Sequence, residues 1–361
     1  MDYRVGPFHF PNACVAFHAD RATEFRPSLI SEAGESVMVH GFSEYQFGYQ
    51  RVLSVRPAAR GDALHRCERR PLGVFFPFSC NNVYHMAFHA IPSYEHFAAL
   101  DVADATLVPL VYPTAAVGKK MSTKPRKWHA WEWALRAVTA RAAADIAADT
   151  AKLLAAPCTC FARAVGTTAP FHPAAAASRP RVGAFRAAAL RNIERLLGTP
   201  PPPPAPTLLW VRRGRHLNVG ESVPRRALVN EAALLDALRA AGLRDDALRP
   251  TTLESLPLAA QAREVAAAGG LVAVHGQAMA WVLFLPWAER RTAAVELMPR
   301  GGGSKIYEEL SAALGVRYER VAASLDGKCS REQWLKCNVT APPERVVAAV
   351  RSAAAEVARG S

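Results

Sequence analysis

Eight residues in two groups could carry chemistry: His85 and His89 in the first half of the chain, and Arg212, Arg226, Asn230, His275, Gly276 and Glu296 in the second. In Asn82-Val-Tyr-His-Met-Ala-Phe-His89 the two histidines stand four apart, so on a helix they share one face. Such a pair can bind a metal, but Met86 occupies the place where a His-Glu-x-x-His site needs its glutamate, and no third ligand stands out. Histidine also suits general-base work, because its ordinary pKa lies near neutrality. The plain alternative packs both rings against Tyr84, Phe88 and Tyr94.

The second group points to an anion. Arg212 follows the strand pattern Thr207-Leu-Leu-Trp-Val211, and Arg226 precedes a helix start at Asn230, where an anion would also meet the positive end of the helix dipole. Their neighbours Arg213 and Arg225 read as solvated surface residues. His275-Gly276 ends the apolar run Leu271-Val-Ala-Val274, which puts His275 at the carboxyl end of a buried strand, where open α/β sheets bind ligands. Glu296, in Val295-Glu-Leu-Met-Pro299, suits a carboxylate that accepts hydrogen bonds from ribose hydroxyls, or one that caps the following turn. No Asp-x-Asp pair exists to hold a divalent cation, so charge on a diphosphate would fall to arginine and to backbone N–H groups. No Gly-x-Gly-x-x-Gly, Walker or Gly-x-Ser-x-Gly motif is present either, and Gly301-Gly-Gly303 has the wrong spacing for a phosphate loop.

Positioning these residues takes a folded chain of some size, and 361 residues, half of them hydrophobic, suffice for two domains. The net charge of +13 asks for an anionic partner. Its arginines are scattered among alanines without aromatic interleaving, which favours a small anion such as a diphosphate-bearing substrate over nucleic acid. Seven cysteines show no zinc-ribbon spacing; Cys158-Thr-Cys160 reads as a strained pair or two ordinary thiols. Asn338-Val-Thr340, next to Cys337, is a glycosylation sequon, a motif that chance also produces. No run of about 20 uninterrupted apolar residues could cross a bilayer, and the amino terminus lacks a signal-peptide core. The expectation is a cytosolic protein, or a chain whose natural leader lies upstream.

The clearest boundary is the proline run Pro200 to Pro204, a stiff polyproline segment. Residues 1–198 then form an amino-terminal mixed α/β lobe, 199–206 a linker, 207–325 a second lobe and 326–361 a tail helix. In the first lobe Val37–His40, Leu72–Phe78 and Thr106–Tyr112 read as strands, and Leu135–Leu154 and Arg186–Leu197 as helices. The second alternates strictly: strands near 207–212, 249–253, 271–274 and 292–297, helices over 230–241, 258–268, 278–285 and 307–314. Such alternation predicts a parallel sheet covered on both faces.

Taken in order, Arg212, Arg226-Ala-Leu-Val-Asn230, Gln261, Val274-His-Gly276, Leu283-Phe-Leu-Pro286 and Val295-Glu-Leu-Met-Pro299 resemble the second lobe of glycosyltransferase family 61, over residues 207 to 323. Asn82-Val-Tyr-His85 followed by Pro92 is similar to the family's Asn-x-x-His segment, with His89 where the family carries an aspartate. The resemblance implies a GT-B architecture, two Rossmann-like lobes with an interlobe cleft. It also implies inverting transfer of a sugar, GlcNAc or a pentose, from a UDP-sugar donor to a hydroxyl of a glycan or glycoprotein, with no metal or other cofactor. In it Arg212 and Arg226 neutralise the diphosphate, Asn230 lies in the donor site, His275 and Gly276 shape the turn beside it, Glu296 holds the ribose, and His85 or His89 is the base. A Golgi or endoplasmic reticulum lumen follows, with membrane attachment only through an anchor upstream of residue 1. The competing expectation is a protein of the same fold that binds a glycan or nucleotide sugar without turning it over.

Overall fold

In a computed structural model the described residues are 7–20, 24–31, 37–40, 50–57, 72–75, 83–99, 106–109, 132–138, 148, 158–167, 178–213, 226–302, 304–327, 334 and 337–360. They belong to two units, Met1–His172 and Pro173–Ser361. In the first, the three expected strands are β3 (Val37–His40), β5 (Leu72–Phe75) and β6 (Thr106–Pro109). They are joined by β1 (Pro7–Asp20), β2 (Glu24–Ser31), β4 (Gln50–Pro57) and β7 (Cys158–Thr167), giving the order β3-β4-β2-β1-β7-β5-β6. The sheet is mixed: β1 pairs antiparallel with β2 and β7, whereas β5 runs parallel to β6 and β7. Only residues 21–23 separate β1 from β2, too few for a crossover, so this pair must turn back on itself. Between β5 and β6 lies α1 (Val83–Ala99), which buries Ile91 and Phe97, and α2 (Glu132–Val138) packs on it through Trp133 and Leu135. The rest of the helix expected over Leu135–Leu154 lies outside the described residues, except Asp149's neighbour Ala148.

The second unit is α/β with a mostly parallel sheet. Its strands are β8 (Ala205–Val211), β9 (Leu248–Thr251), β10 (Ala268–Val274), β11 (Ala293–Pro299), β12 (Arg317–Leu325) and the short β13 (Val339–Thr340). They are ordered β13-β12-β11-β10-β8-β9, and only β13 is antiparallel. Every residue of β10 and β11 is buried, which is what a continuous apolar run demands of a strand covered on both sides. One face carries Leu208, Trp210, Val272, Val274, Val295 and Leu297, packed under α4 (Glu231–Ala240) and α7 (Pro343–Ala358). The alternate residues, among them Leu209, Leu271 and Glu296, turn to the other face. There lie α3 (Ser178–Leu197), α5 (Leu258–Ala266), a 3-10 segment (Gln277–Phe284) and α6 (Ile306–Leu314).

Three features depart from the sequence expectation. The helix before the prolines belongs with the second unit: Arg186 in α3 is buried, donates to the Phe284 carbonyl at 3.2 Å and pairs with Glu289 at 2.7 Å. The proline segment follows it, tied by Arg263 donating to Thr199 Oγ1 at 2.7 Å and Arg290 to the Pro204 carbonyl at 3.0 Å. The segment after Gly276 is 3-10 instead of α. It is fixed at one end by a glycine with φ +141° and at the other by Pro286, and a rise of about 2.0 Å per residue spans more length than an α-helix would. The carboxyl-terminal helix α7 is no tail, since Val346, Val350 and Val357 are fully buried in the sheet's core. Among the described residues no helix is long and apolar enough to cross a membrane.

Candidate functional site

Strand order fixes where a site should be. Within the second unit β9 and β10 flank β8, so chain direction across the sheet reverses there, and the crevice outside the carboxyl ends of β8 and β10 is the topological switch point. Val211 ends β8 and pairs with Ala273, which in turn pairs with Glu296. Two residues further, the pleat carries Arg213 and His275 to the same face.

Here two guanidinium groups converge. Arg226 Nη1 donates to the His275 carbonyl at 2.8 Å, and Arg213 Nη2 lies 3.5 Å from the same oxygen. Gly276 makes this approach possible: a Cβ on it would fall 2.5 Å from Arg226 Nη1 and 2.6 Å from Arg213 Nη2. Arg226 has φ 59°, the one non-glycine residue with positive φ among the described residues, a conformation that costs about 1 kcal/mol or more and needs its surroundings to hold it. Asn338 Oδ1 accepts from the Ala227 N–H at 3.0 Å, while backbone bonds of 2.8 and 2.9 Å join Val229 and Ala227 to Val339. Burial holds the Arg213 guanidinium below the usual arginine range, partly offset by Glu254 and the Tyr307 phenol. Among the described residues no carboxylate stands within ion-pair distance of it. A small cavity of about 50 Å³ opens on the α4 side of these strand ends, lined by Arg212, Arg213, Leu228, Glu231 and Val274 among others.

Beneath the arginines sits a buried carboxylate. Glu296 has no exposed surface; its Oε1 is 2.6 Å from His275 Nδ1, and its Oε2 accepts from the Tyr318 hydroxyl. Arg320 Nε lies 3.7 Å from the same Oε2. Burial, reinforced by the Glu296 charge, pushes the phenols of Tyr307 and Tyr318 well above the usual tyrosine value, so both stay protonated and Tyr318 remains a donor. The His275 ring is packed between Tyr307 and Trp334, at centroid distances of 5.3 and 5.2 Å.

The expected residues are thus sorted. Arg226, His275, Gly276 and Glu296 come together. Glu296 differs in its role from the expectation of a ribose contact: β11 continues past it to Pro299, which leaves its carboxylate inside the sheet with both oxygens engaged by protein donors, where it orients His275. Arg212 turns to the α4 face, exposed and 3.4 Å from Glu231, an ion pair of small value in water. Arg213, read from sequence as a solvated residue, is the second cation of the site. Strand parity was the signal for it, because 209, 211 and 213 share a face.

Asn230 clamps backbone: its Nδ2 donates to the Ala341 carbonyl at 2.8 Å and its Oδ1 accepts the Ala341 N–H at 3.2 Å. Ala341 is fully buried, so Asn230→Ala would strand two buried groups, a loss of about 2 kcal/mol or more. Urea denaturation should show that loss, and unchanged stability would return Asn230 to a ligand-facing role. His85 and His89 both lie in α1, one turn apart, but their side chains lie outside the described residues.

A scan against protein-family models and a search of curated proteins each found no match to this chain.

Proposed function

We propose that the chain is an inverting glycosyltransferase of GT-B architecture, which moves a sugar from a UDP-sugar to a hydroxyl of a glycan or glycoprotein. The observation that carries this reading is the convergence of Arg213 and Arg226 beside Gly276 at the switch point of a parallel sheet. Two guanidinium groups brought together at the carboxyl ends of parallel strands make a place that favours an anion such as a diphosphate. In the proposed reaction the acceptor oxygen attacks the anomeric carbon as its hydroxyl proton passes to a base. The bond from that carbon to the diphosphate oxygen breaks, and its electron pair departs with UDP. The guanidinium groups stabilise that developing charge, a role which preorganised donors fill at small reorganisation cost. Because the sequence lacks Asp-x-Asp, transfer is proposed to proceed without a divalent metal.

Incubation with a panel of UDP-sugars and glycan acceptors, with and without a chelator, tests this. Transfer that survives the chelator is the expected result; tight UDP-sugar binding with neither transfer nor donor hydrolysis would make the protein a binding module. For the base, His85→Ala and His89→Ala should differ, one abolishing turnover and the other sparing it. Full activity in both variants would place the base elsewhere. A secretory lumen is proposed as the compartment, supported by Cys160 and Cys337, which are both disulfide-bonded, since disulfides persist in oxidising environments.

A further inference from the structure

The backbone that carries Arg226 is held from a segment 111 residues further along the chain. The Ala227 carbonyl accepts the Val339 N–H at 2.9 Å and the Val229 N–H donates to the Val339 carbonyl at 2.8 Å, a short parallel pairing centred on Leu228 and Val339. The Ala227 N–H goes to a side chain instead, Asn338 Oδ1 at 3.0 Å. An amide N–H and the carbonyl before it lie in one plane, so this bond sets the peptide between Arg226 and Ala227, and with it ψ of Arg226, a residue whose φ is 59°. The acceptor is itself fixed. The Asp326 N–H donates to the Asn338 carbonyl at 2.9 Å, Val339 and Thr340 pair with Leu325 and Ser324 at the end of β12, and Cys337 is buried and disulfide-bonded. The Trp334 carbonyl accepts the Cys337 N–H at 3.4 Å, and the Trp334 ring packs on His275 with centroids 5.2 Å apart. Trp334 and Asn338 thus reach the two sides of the cation pair: the residue whose carbonyl the arginines share, and the peptide behind Arg226.

Resting on the anion site proposed above, we infer that Asn338 is a positioning residue for that site: it fixes the peptide behind Arg226 and thereby the place of the guanidinium at the His275 carbonyl. Asn338 also opens the sequon Asn338-Val-Thr340, but this role needs only its side-chain oxygen and no glycan on its nitrogen. A cation held in place before the ligand arrives loses little freedom on binding, whereas one that must first be ordered costs affinity. The size of the effect is bounded, because a residue that acts only through Arg226 should cost no more than the loss of Arg226 itself.

Calorimetric titration of the full chain with UDP tests this in four proteins: the unsubstituted chain, Asn338→Ala, Arg226→Ala and the double variant. Asn338→Ala should weaken binding about fivefold and Arg226→Ala at least about tenfold. Adding Asn338→Ala to Arg226→Ala should cost nothing further, since the residue it positions is gone. A general loss of packing would instead weaken UDP equally in both backgrounds, and that result overturns the inference, as does unchanged affinity in Asn338→Ala. Thr340→Val removes the sequon and keeps the Asn338 oxygen, so it should bind like the unsubstituted chain; a loss equal to that of Asn338→Ala would trace the effect to a glycan and overturn the inference too. Should Asn338→Ala fail to fold, Asn338→Ser, polar but one bond shorter, takes its place in the cycle with the same expectations. An unsubstituted chain that does not bind UDP overturns the anion site itself.

Discussion

Replacing Arg213 and Arg226 together by alanine should raise the Kd for a UDP-sugar by about a hundredfold. A charge-assisted contact is worth roughly 1.5 kcal/mol or more, and each 1.4 kcal/mol is a factor of ten, so Arg226→Ala alone should weaken binding and slow transfer at least tenfold. The two guanidinium groups share one acceptor, the His275 carbonyl, and the single effects need not add. A double-mutant cycle measured by titration calorimetry gives both the total and the coupling. Near-normal affinity in the double variant would remove the pair from the site. Arg212→Ala provides the contrast, because its side chain is 45% exposed and already paired with Glu231; it should change affinity far less.

Gly276→Ala should be nearly as damaging by a different route. Its Cβ would meet two guanidinium groups inside 3 Å, and φ +141° is a region that alanine enters only under strain, about 1–3 kcal/mol. The arginines must move or the turn must, and either displaces the cations from the ends of β8 and β10. Expected are a lower melting temperature and at least a tenfold loss of UDP-sugar affinity, by the same conversion of roughly 1.4 kcal/mol per decade. Gly242→Ala separates the two causes: Gly242 has φ +82° but open space around its Cβ position, so that variant should lose stability and keep its affinity. If Gly276→Ala binds donor normally, the close approach of the arginines carries no function.

The second unit was legible because its strands are buried on both faces and therefore read as unbroken apolar runs; β10 and β11 are buried at every position. Edge-ward β12 was not recognised as a strand, since beyond Tyr318 only Val321 and Ala323 are buried and polar residues interrupt the pattern. In the first unit β1 contains Pro7 and Pro11, which break the signal that a strand leaves in sequence. At the site, the helix-dipole argument brought attention to Arg226 and the strand-end argument to His275. The adjacent pair Arg212 and Arg213 could not be told apart by position alone. Only alternation along β8 decides between them, turning Arg212 toward Glu231 and Arg213 toward His275. Asn230 came into the donor site only through the family resemblance, whereas its partner Ala341 is 111 residues away, a distance over which sequence patterning carries no information.

A crystal structure of the full chain with UDP, grown in the presence of a chelator, is the most direct test of the diphosphate site. Phosphate oxygens within about 3 Å of Arg213 and Arg226, at the turn formed by His275 and Gly276, are the predicted result. UDP bound with its phosphates elsewhere, and these two arginines facing only protein or solvent, would contradict it.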